Sequence, residues 1–528
     1  MLGKFFDKIL DEDEEETEEE KKTLKKRVKF SWKEAMPPLL LFLLAAGVRL
    51  AFLFLNDSQS PGCGWYGDVY HHWQVGYLSK VIGFKQGFLR LWDLKGMEFF
   101  WGLAHPLVLV ILFALTGSVD ILIPRLLSVF CGSLVVVFIY LLVKRHFNRT
   151  AAFACGLWAA LFSVVLFSDT LGMQEQLGLV FLFGGLLAWP SLGLATGILW
   201  ALASMTRAEY WLFAFGLVLA SFFDPRKKIG EKKALMFFGY FLPIALYMKY
   251  LMEYTGNPIF PIWWNYLASV VGDWFTNLGD PLTAVQIQGQ WVGRGLFALG
   301  FVGTVISFLK RPKNYLFLLL GFFNVTFIGF IFGFAAYVHG FFDRFWVDRL
   351  LAFPYLFLGM LIILFFLGWL PNRYPRGKKA LLVFGFLIFL TILVGSQLVW
   401  GKIMLYFRGA QTPYQTELGI ASLIAENDPG GKILFPAGRP ALTYALVRNH
   451  QVSGERLVSE MYDPYYYAEE GETLAELEKK MIGWLEKEEI KFIVHTGKTE
   501  YKDLFKNHPE KFQPLGSNEY AGLYEFLR

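Results

Sequence analysis

The chain has 528 residues, 55% of them hydrophobic and only 18% charged, with 54 Phe, 24 Tyr and 17 Trp. That composition excludes an ordinary soluble domain and identifies an integral membrane protein. The net charge of +5 comes from short Lys/Arg segments between apolar runs, a pattern that reports topology rather than nucleic-acid binding.

The N-terminal stretch "DEDEEETEEEKKTLKKRVKFSWK" is an acidic block followed by a basic one and lacks signal-peptide form. Residues 1–35 therefore read as a charged cytoplasmic tail. A span needs about 20 apolar residues, and the first runs from Pro37 to Leu55. The lysines before it place the N-terminus inside and the following loop outside. Residues 56–120 are kept outside as a long loop with interfacial or re-entrant helices. The reason is that "WGLAHPLVLVILFALTG" ends without a basic flank, whereas the run Ile121 to Val143 ends in "KRHFNR". Further inside turns fall at "DPRKKIGEKK", "KRPKNY" and "PNRYPRGKK", each separated from the last by two apolar spans. The alternation closes with about eleven spans over residues 36–400.

After the last span, Ala380 to Val399, the composition becomes globular. "GKILFPAG" and "IKFIVHTG" read as buried strands, and "ETLAELEKKMIGWLEKE" has helical periodicity. Residues 401–528 are thus predicted to form an extracytoplasmic α/β domain. The fold class is an α-helical polytopic membrane protein with a C-terminal soluble α/β domain. Cys63, Cys131 and Cys155 show neither disulfide nor zinc spacing and read as packing residues.

With this topology the unusual polar residues fall on the outer face. The first loop, beginning "WYGDVYHHWQVGYLSK", supplies Asp68, His71, His72, Asp93 and His105. "FSDTLGMQEQLG" supplies Asp169 and Glu175, "SMTRAEYW" adds Arg207 and Glu209, and "YVHGFFDRFWVDRLLAFP" adds His339, Asp343, Arg344, Asp348 and Arg349. On an amphipathic helix over 68–80, Asp68 shares a face with at least one of the two histidines. That suits a general base beside an anion-binding imidazole, or two ligands of a divalent metal with Glu175 or Asp169 as a third. The alternatives are a helix-capping Asp68 within an interfacial aromatic belt, a solvated helix terminus at Glu175, an Arg207–Glu209 pair across their turn, and a kink at His105-Pro106. Arg344 and Arg349, beside two aspartates in aromatic sequence, form either an internal ion-pair network or a phosphate site. In the C-terminal domain "MYDPYYYAEE" offers either a sugar platform or core packing.

The order of these segments resembles the GT-C superfamily of membrane glycosyltransferases, which includes oligosaccharyltransferase catalytic subunits, protein O-mannosyltransferases and bacterial aminoarabinose transferases. "GDVYHHW", "WDLKGMEFFWGLAHPL", "IPRLLSVFCGSLVVVFIYLLVKRHF", "SDTLGMQEQ", "MTRAEYW", "YTGNPIFPIWW" and "DRFWVDRLLAFPYLFLG" carry the likeness, over roughly residues 35–400. The resemblance implies inverting transfer of a sugar, with mannose the expected hexose, from a polyprenyl or dolichyl phosphate outside the cell membrane. It implies Asp68 as the catalytic acid, Glu175 or Asp169 as the second-loop acid, and Arg344 or Arg349 as the donor-phosphate ligand, with His71, His72 and Arg207 as further anion ligands. The acceptor would be a hydroxyl of a glycan, a lipid-linked molecule or a protein.

Two departures narrow this expectation. Nothing after residue 400 matches the WWDYG-type motif of oligosaccharyltransferases, which favours single-sugar transfer over transfer to asparagine. Asp68 lacks the DxD form of metal-using relatives, so no cofactor is expected, with a divalent cation (Mg or Mn) as the alternative. The rival functions are a lipid-linked substrate transporter or flippase, whose charges would line span centres, an oligosaccharyltransferase-like enzyme, and a non-catalytic scaffold.

Overall fold

A computed structural model describes residues 32–57, 67–225, 230–267, 284–337, 351–399, 411–428, 430–469 and 471–527. They divide into two compact units, one containing residues 32–56 and 125–399, the other residues 67–124 and 411–527. Residues 67–124, which sequence alone assigns to an outer loop of the helical domain, thus share a unit with the C-terminal sheet.

The first unit is helical. Among the described residues six helices are long and apolar enough to cross a membrane: Glu34–Leu55, Leu122–His146, Glu231–Thr255, Ile287–Lys310, Ala352–Arg373 and Pro375–Ser396. Other apolar runs form shorter helices, among them Glu175–Ala188, Gly193–Ser204 and Ala208–Phe222. The run after Asn148 is divided into Arg149–Leu161 and Ser163–Ser168 because Phe162 takes an extended conformation. Polar turn residues near positions 168–176 and 205–209 are therefore brought in on short helices.

Small residues set the packing distances in this unit. Helix Gly193–Ser204 lies so close to Glu231–Thr255 that a Cβ on Gly193 or Gly197 would overlap the backbone at Lys232 or Met236. This is the small-xxx-small solution for helices that gain little from hydrophobic exclusion in lipid. Gly178 likewise meets the Tyr210 ring and Thr206 directly, which seats helix Glu175–Ala188 against the start of Ala208–Phe222.

The second unit is built on a five-stranded sheet in the order β2-β1-β3-β5-β4. The strands are β1 (Lys432–Phe435), β2 (Leu457–Ser459), β3 (Ile490–His495), β4 (Phe512–Ser517) and β5 (Gly522–Phe526). β1 pairs in parallel with β2 and β3, and β5 is antiparallel to β3 and β4. Both strands expected from the sequence form, as does helix Leu474–Lys487, which opens with a reciprocal capping box between Thr473 and Glu476. Met481, Leu485, Ile493, Leu504, Phe505 and Phe526 are buried together in one core of this domain.

Helix Gly67–Leu78 belongs to the same unit and is not an interfacial amphipathic helix, because Val69 through Leu78 are all buried. Tyr70 and Trp73 pack on Tyr444 at ring distances of 5.4 and 4.9 Å. The Trp73 indole donates to the Val119 carbonyl at 2.6 Å, and the Gly454 amide donates to the Tyr77 hydroxyl at 3.1 Å. Ser459, at the end of β2, donates to the Leu94 carbonyl, and Arg448 pairs with Asp120 at 2.9 Å. The aromatics here are core residues rather than a lipid-interface belt. His105 and Pro106 stand in the first turn of Ala104–Thr116, so the proline starts a helix instead of kinking one.

Candidate active site

The candidate residues that the structure describes fall in two polar clusters, one in each unit. In the helical unit the turn 168–176 delivers two acids that meet opposite fates. Asp169 is 1% exposed and Arg49, from the first span, 0%. Arg49 Nε and Nη2 lie 2.7 and 2.6 Å from Asp169 Oδ2, while the Gln176 amide donates to Oδ1 at 3.0 Å. Arg49 also donates to the carbonyls of Ala45, Ala159 and Ala160 at 3.1–3.2 Å. The adjoining space, lined by Gly132, Val136 and Phe353, holds no water-sized volume. Each Asp169 oxygen is engaged and a ligand has no room to enter, so the geometry is that of a clamp joining the first span to the end of helix Arg149–Leu161.

Glu175, six residues on, is the opposite case. It opens helix Glu175–Ala188 and is 3% exposed, so it is no solvated terminus. Its Oε1 pairs with Arg207, whose Nε reaches Glu209 at 2.5 Å, and the Tyr210 hydroxyl donates to the Glu175 carbonyl at 3.0 Å. The Arg207–Glu209 pair expected across its turn is therefore present, extended by Glu175. Among the described residues Glu175 Oε2 has no hydrogen-bond partner, nor has either amide atom of neighbouring Gln174, which is fully buried. Buried polar atoms left unsatisfied cost about 1–3 kcal/mol each, and native structures contain few of them. With one guanidinium between two carboxylates the cluster carries net charge −1. Its carboxylate oxygens accept hydrogen bonds, so they suit hydroxyl donors.

The second unit holds the histidines. His71 Nε2 lies 2.6 Å from Asp93 Oδ2, and Asp93 also accepts from the Gln74 amide at 2.9 Å and the Met97 backbone amide at 3.3 Å. His72 stacks at an angle on Trp101 at 4.3 Å and faces His105 at 5.4 Å. His105 is wholly buried, which pushes its pKa down to about 3 and keeps the ring neutral. Asp68 stands in the first turn of Gly67–Leu78, where the helix dipole favours a carboxylate, and it remains partly exposed.

The expected site residues thus separate. Glu175, Arg207 and Glu209 come together; Asp169 is tied to Arg49 instead; His71 gains Asp93 as its carboxylate. Arg344 and Arg349, with His339, Asp343 and Asp348, lie outside the described residues. Among the described residues no group of three His, Cys, Asp or Glu side chains could hold a metal ion. Cys131 and Cys155 are buried free thiols, and Cys63 lies outside the described residues. "MYDPYYYAEE" divides: Asp463 is buried and accepts from the Tyr501 hydroxyl, while the Tyr466 and Tyr467 rings are 53% and 64% exposed. Sequence reasoning overlooked Arg49, Gln174 and Gln176. The signal for Arg49 was a lone arginine within "LLLFLLAAGVRLAFLFL", where an ionisable residue calls for a partner.

No family model and no curated protein matches the chain. Solved structures do resemble it at low identity. ArnT from Cupriavidus metallidurans in the apo state is 13% identical, with 93% of this chain and 98% of that one covered and a TM-score of 0.46. The same ArnT bound to undecaprenyl phosphate is 12% identical over 92% and 97% of the two chains, with a TM-score of 0.43. The oligosaccharyltransferase of Archaeoglobus fulgidus, in complex with Zn and sulfate, is 12% identical over 86% of this chain and 68% of that one, with a TM-score of 0.47.

Proposed function

We propose that this protein is a membrane glycosyltransferase that moves a sugar, with mannose the expected hexose, from a polyprenyl or dolichyl phosphate to an acceptor hydroxyl on the extracytoplasmic side, with inversion. The observation that supports this reading is the buried Glu175–Arg207–Glu209 cluster, with Glu175 Oε2 and the Gln174 amide unpartnered among the described residues. A sugar supplies what these atoms lack: several hydroxyls to donate and accept, and positive character at C1 as the bond to phosphate breaks. Arg207 acts here as a positioning residue that fixes Glu175.

Asp68 is the proposed general base, taking the proton of the acceptor hydroxyl as the new C–O bond forms. The leaving phosphate gains charge as its bond to C1 breaks, and Arg344, Arg349 and the two histidines are its proposed ligands. His71 suits that role because its contact with Asp93 fixes the ring. Asp169 receives no chemical step, since its oxygens are occupied by Arg49 and Gln176.

The test uses the purified full-length protein in lipid, a panel of radiolabelled polyprenyl-phosphate and polyprenyl-diphosphate sugars, and sugar release as the readout. Asp68→Asn and Glu175→Gln are each expected to lower turnover by roughly 10²–10⁴-fold, the range for loss of acid–base or positioned-carboxylate assistance. Turnover at the wild-type rate in both variants would defeat the assignment. A parallel arm with chelator decides between no cofactor and a divalent cation.

A further inference from the structure

At the other end of helix Glu175–Ala188, a separate cavity of about 410 Å³ opens within the helical unit. Three basic side chains line it: Arg145 from the end of Leu122–His146, and Arg311 and Lys313 from the turn before Tyr315–Tyr337. One carboxylate, Asp224, faces them, leaving a net charge of 3 − 1 = +2 before His146 is counted. His146 also lines the cavity, and its buried Nδ1 has no hydrogen-bond partner among the described residues. Arg145 spends one N–H on the Leu187 carbonyl at 3.0 Å, and neither it nor Lys313 makes an ion pair among the described residues. The remaining wall is apolar, including Leu186 and Phe317.

Basic turns are expected wherever a chain obeys the positive-inside tendency, but topology requires only that the charges lie on one side. It does not require turns near residues 145, 224 and 311 to converge on a single cavity with apolar walls. Guanidinium forks and an ammonium beside unsatisfied imidazole nitrogen are donors for a phosphate ester, and the apolar wall continues that site toward a hydrocarbon chain. Basic pockets between helix ends on the cytoplasmic side are where anionic headgroups bind.

We propose that this cavity is a phosphate-binding site filled by the headgroup of an anionic lipid, distinct from the Glu175 cluster and independent of the transferase reading. The test is native mass spectrometry of the full-length protein released from nanodiscs that contain equal phosphatidylglycerol and phosphatidylcholine, with a second arm in which inorganic phosphate is added. The wild type is expected to retain phosphatidylglycerol selectively. The double variant Arg145→Ala/Lys313→Ala is expected to retain it roughly 25-fold less, at about fivefold per basic side chain. Both residues are exposed, so the fold tolerates the change, and Arg145→Lys/Lys313→Arg should keep the lipid. Displacement of the lipid by inorganic phosphate supports the phosphate chemistry and identifies free phosphate as a competing source. Equal retention of both lipids by the wild type, or an equal loss in the control Lys378→Ala/Lys379→Ala on another basic turn, overturns the proposal.

Discussion

Replacing Asp169 separates a clamp from a catalyst. In Asp169→Asn the Arg49 guanidinium stays 0% exposed and keeps the Ala45, Ala159 and Ala160 carbonyls, but loses the only carboxylate within 4 Å of it among the described residues. Removing one member of a buried ion pair costs about 3–5 kcal/mol, because the other charge remains in a medium that solvates it poorly. At about 1.4 kcal/mol per decade, this corresponds to roughly two to four orders of magnitude in the folded-to-unfolded ratio. Replacing both members with apolar residues of similar volume, as in Arg49→Met/Asp169→Leu, is expected to be near neutral or stabilising. The assay is reversible denaturant unfolding of the full chain in mixed micelles, with the double-mutant cycle closed by Arg49→Met. A clamp predicts costly single variants and a mild double variant. The reasoning is refuted if Asp169→Asn unfolds like the wild type while sugar transfer is lost, since that is how a catalytic carboxylate behaves.

Three further outcomes follow from the same coordinates. Gly132→Ala places a methyl group onto the Asp169 carboxylate, so it should reproduce the instability of Asp169→Asn without touching either charge, measured by the same unfolding assay. Tyr444→Ala removes a fully buried ring between Tyr70 and Trp73; at about 3–5 kcal/mol for such truncations, amide exchange across residues 67–78 should rise while exchange in Leu122–His146 stays unchanged. Asp428 accepts from both Arg456 terminal nitrogens at 2.6 Å, which holds its carboxyl below the usual range. A lowered carboxylate pKa contributes stability above the unfolded value of about 3.9 and loses it as pH falls through the folded one. Arg456→Gln should therefore lower stability by about 1 kcal/mol at pH 7, a difference that shrinks as pH falls through the lowered folded value, as followed by thermal unfolding.

Much of the fold is legible because its determinants are local. An apolar run of span length has few alternatives, and the C-terminal strands and helix announce themselves through burial period and a Thr473/Glu476 capping box. What sequence could not supply was the partner of each element. Helix Gly67–Leu78 looks interfacial because its aromatics suit a membrane surface, and only Tyr444, more than 360 positions away, shows that they are packed in a protein core. The run after Asn148 looks like one span because nothing in its apolar composition marks Phe162 as the break.

Asp169 and Glu175 show where legibility ends for the site. Both are acids in one short polar turn after an apolar helix, and no feature of "SDTLGMQEQ" ranks one above the other. Their difference lies in how many donors each carboxylate meets in three dimensions. Asp169 meets a guanidinium from a helix 120 residues earlier and an amide from its own turn, which exhaust both oxygens. Glu175 meets Arg207 through one oxygen and leaves the other without a partner among the described residues, beside Gln174. A carboxylate oxygen left without a donor costs stability, so the two acids differ in what their loss should do. Because Arg207 keeps Glu209 as its carboxylate partner, Glu175→Gln should leave unfolding close to wild type, or raise the midpoint, while it lowers transfer. A loss of stability on the scale of Asp169→Asn would assign Glu175 to the scaffold instead.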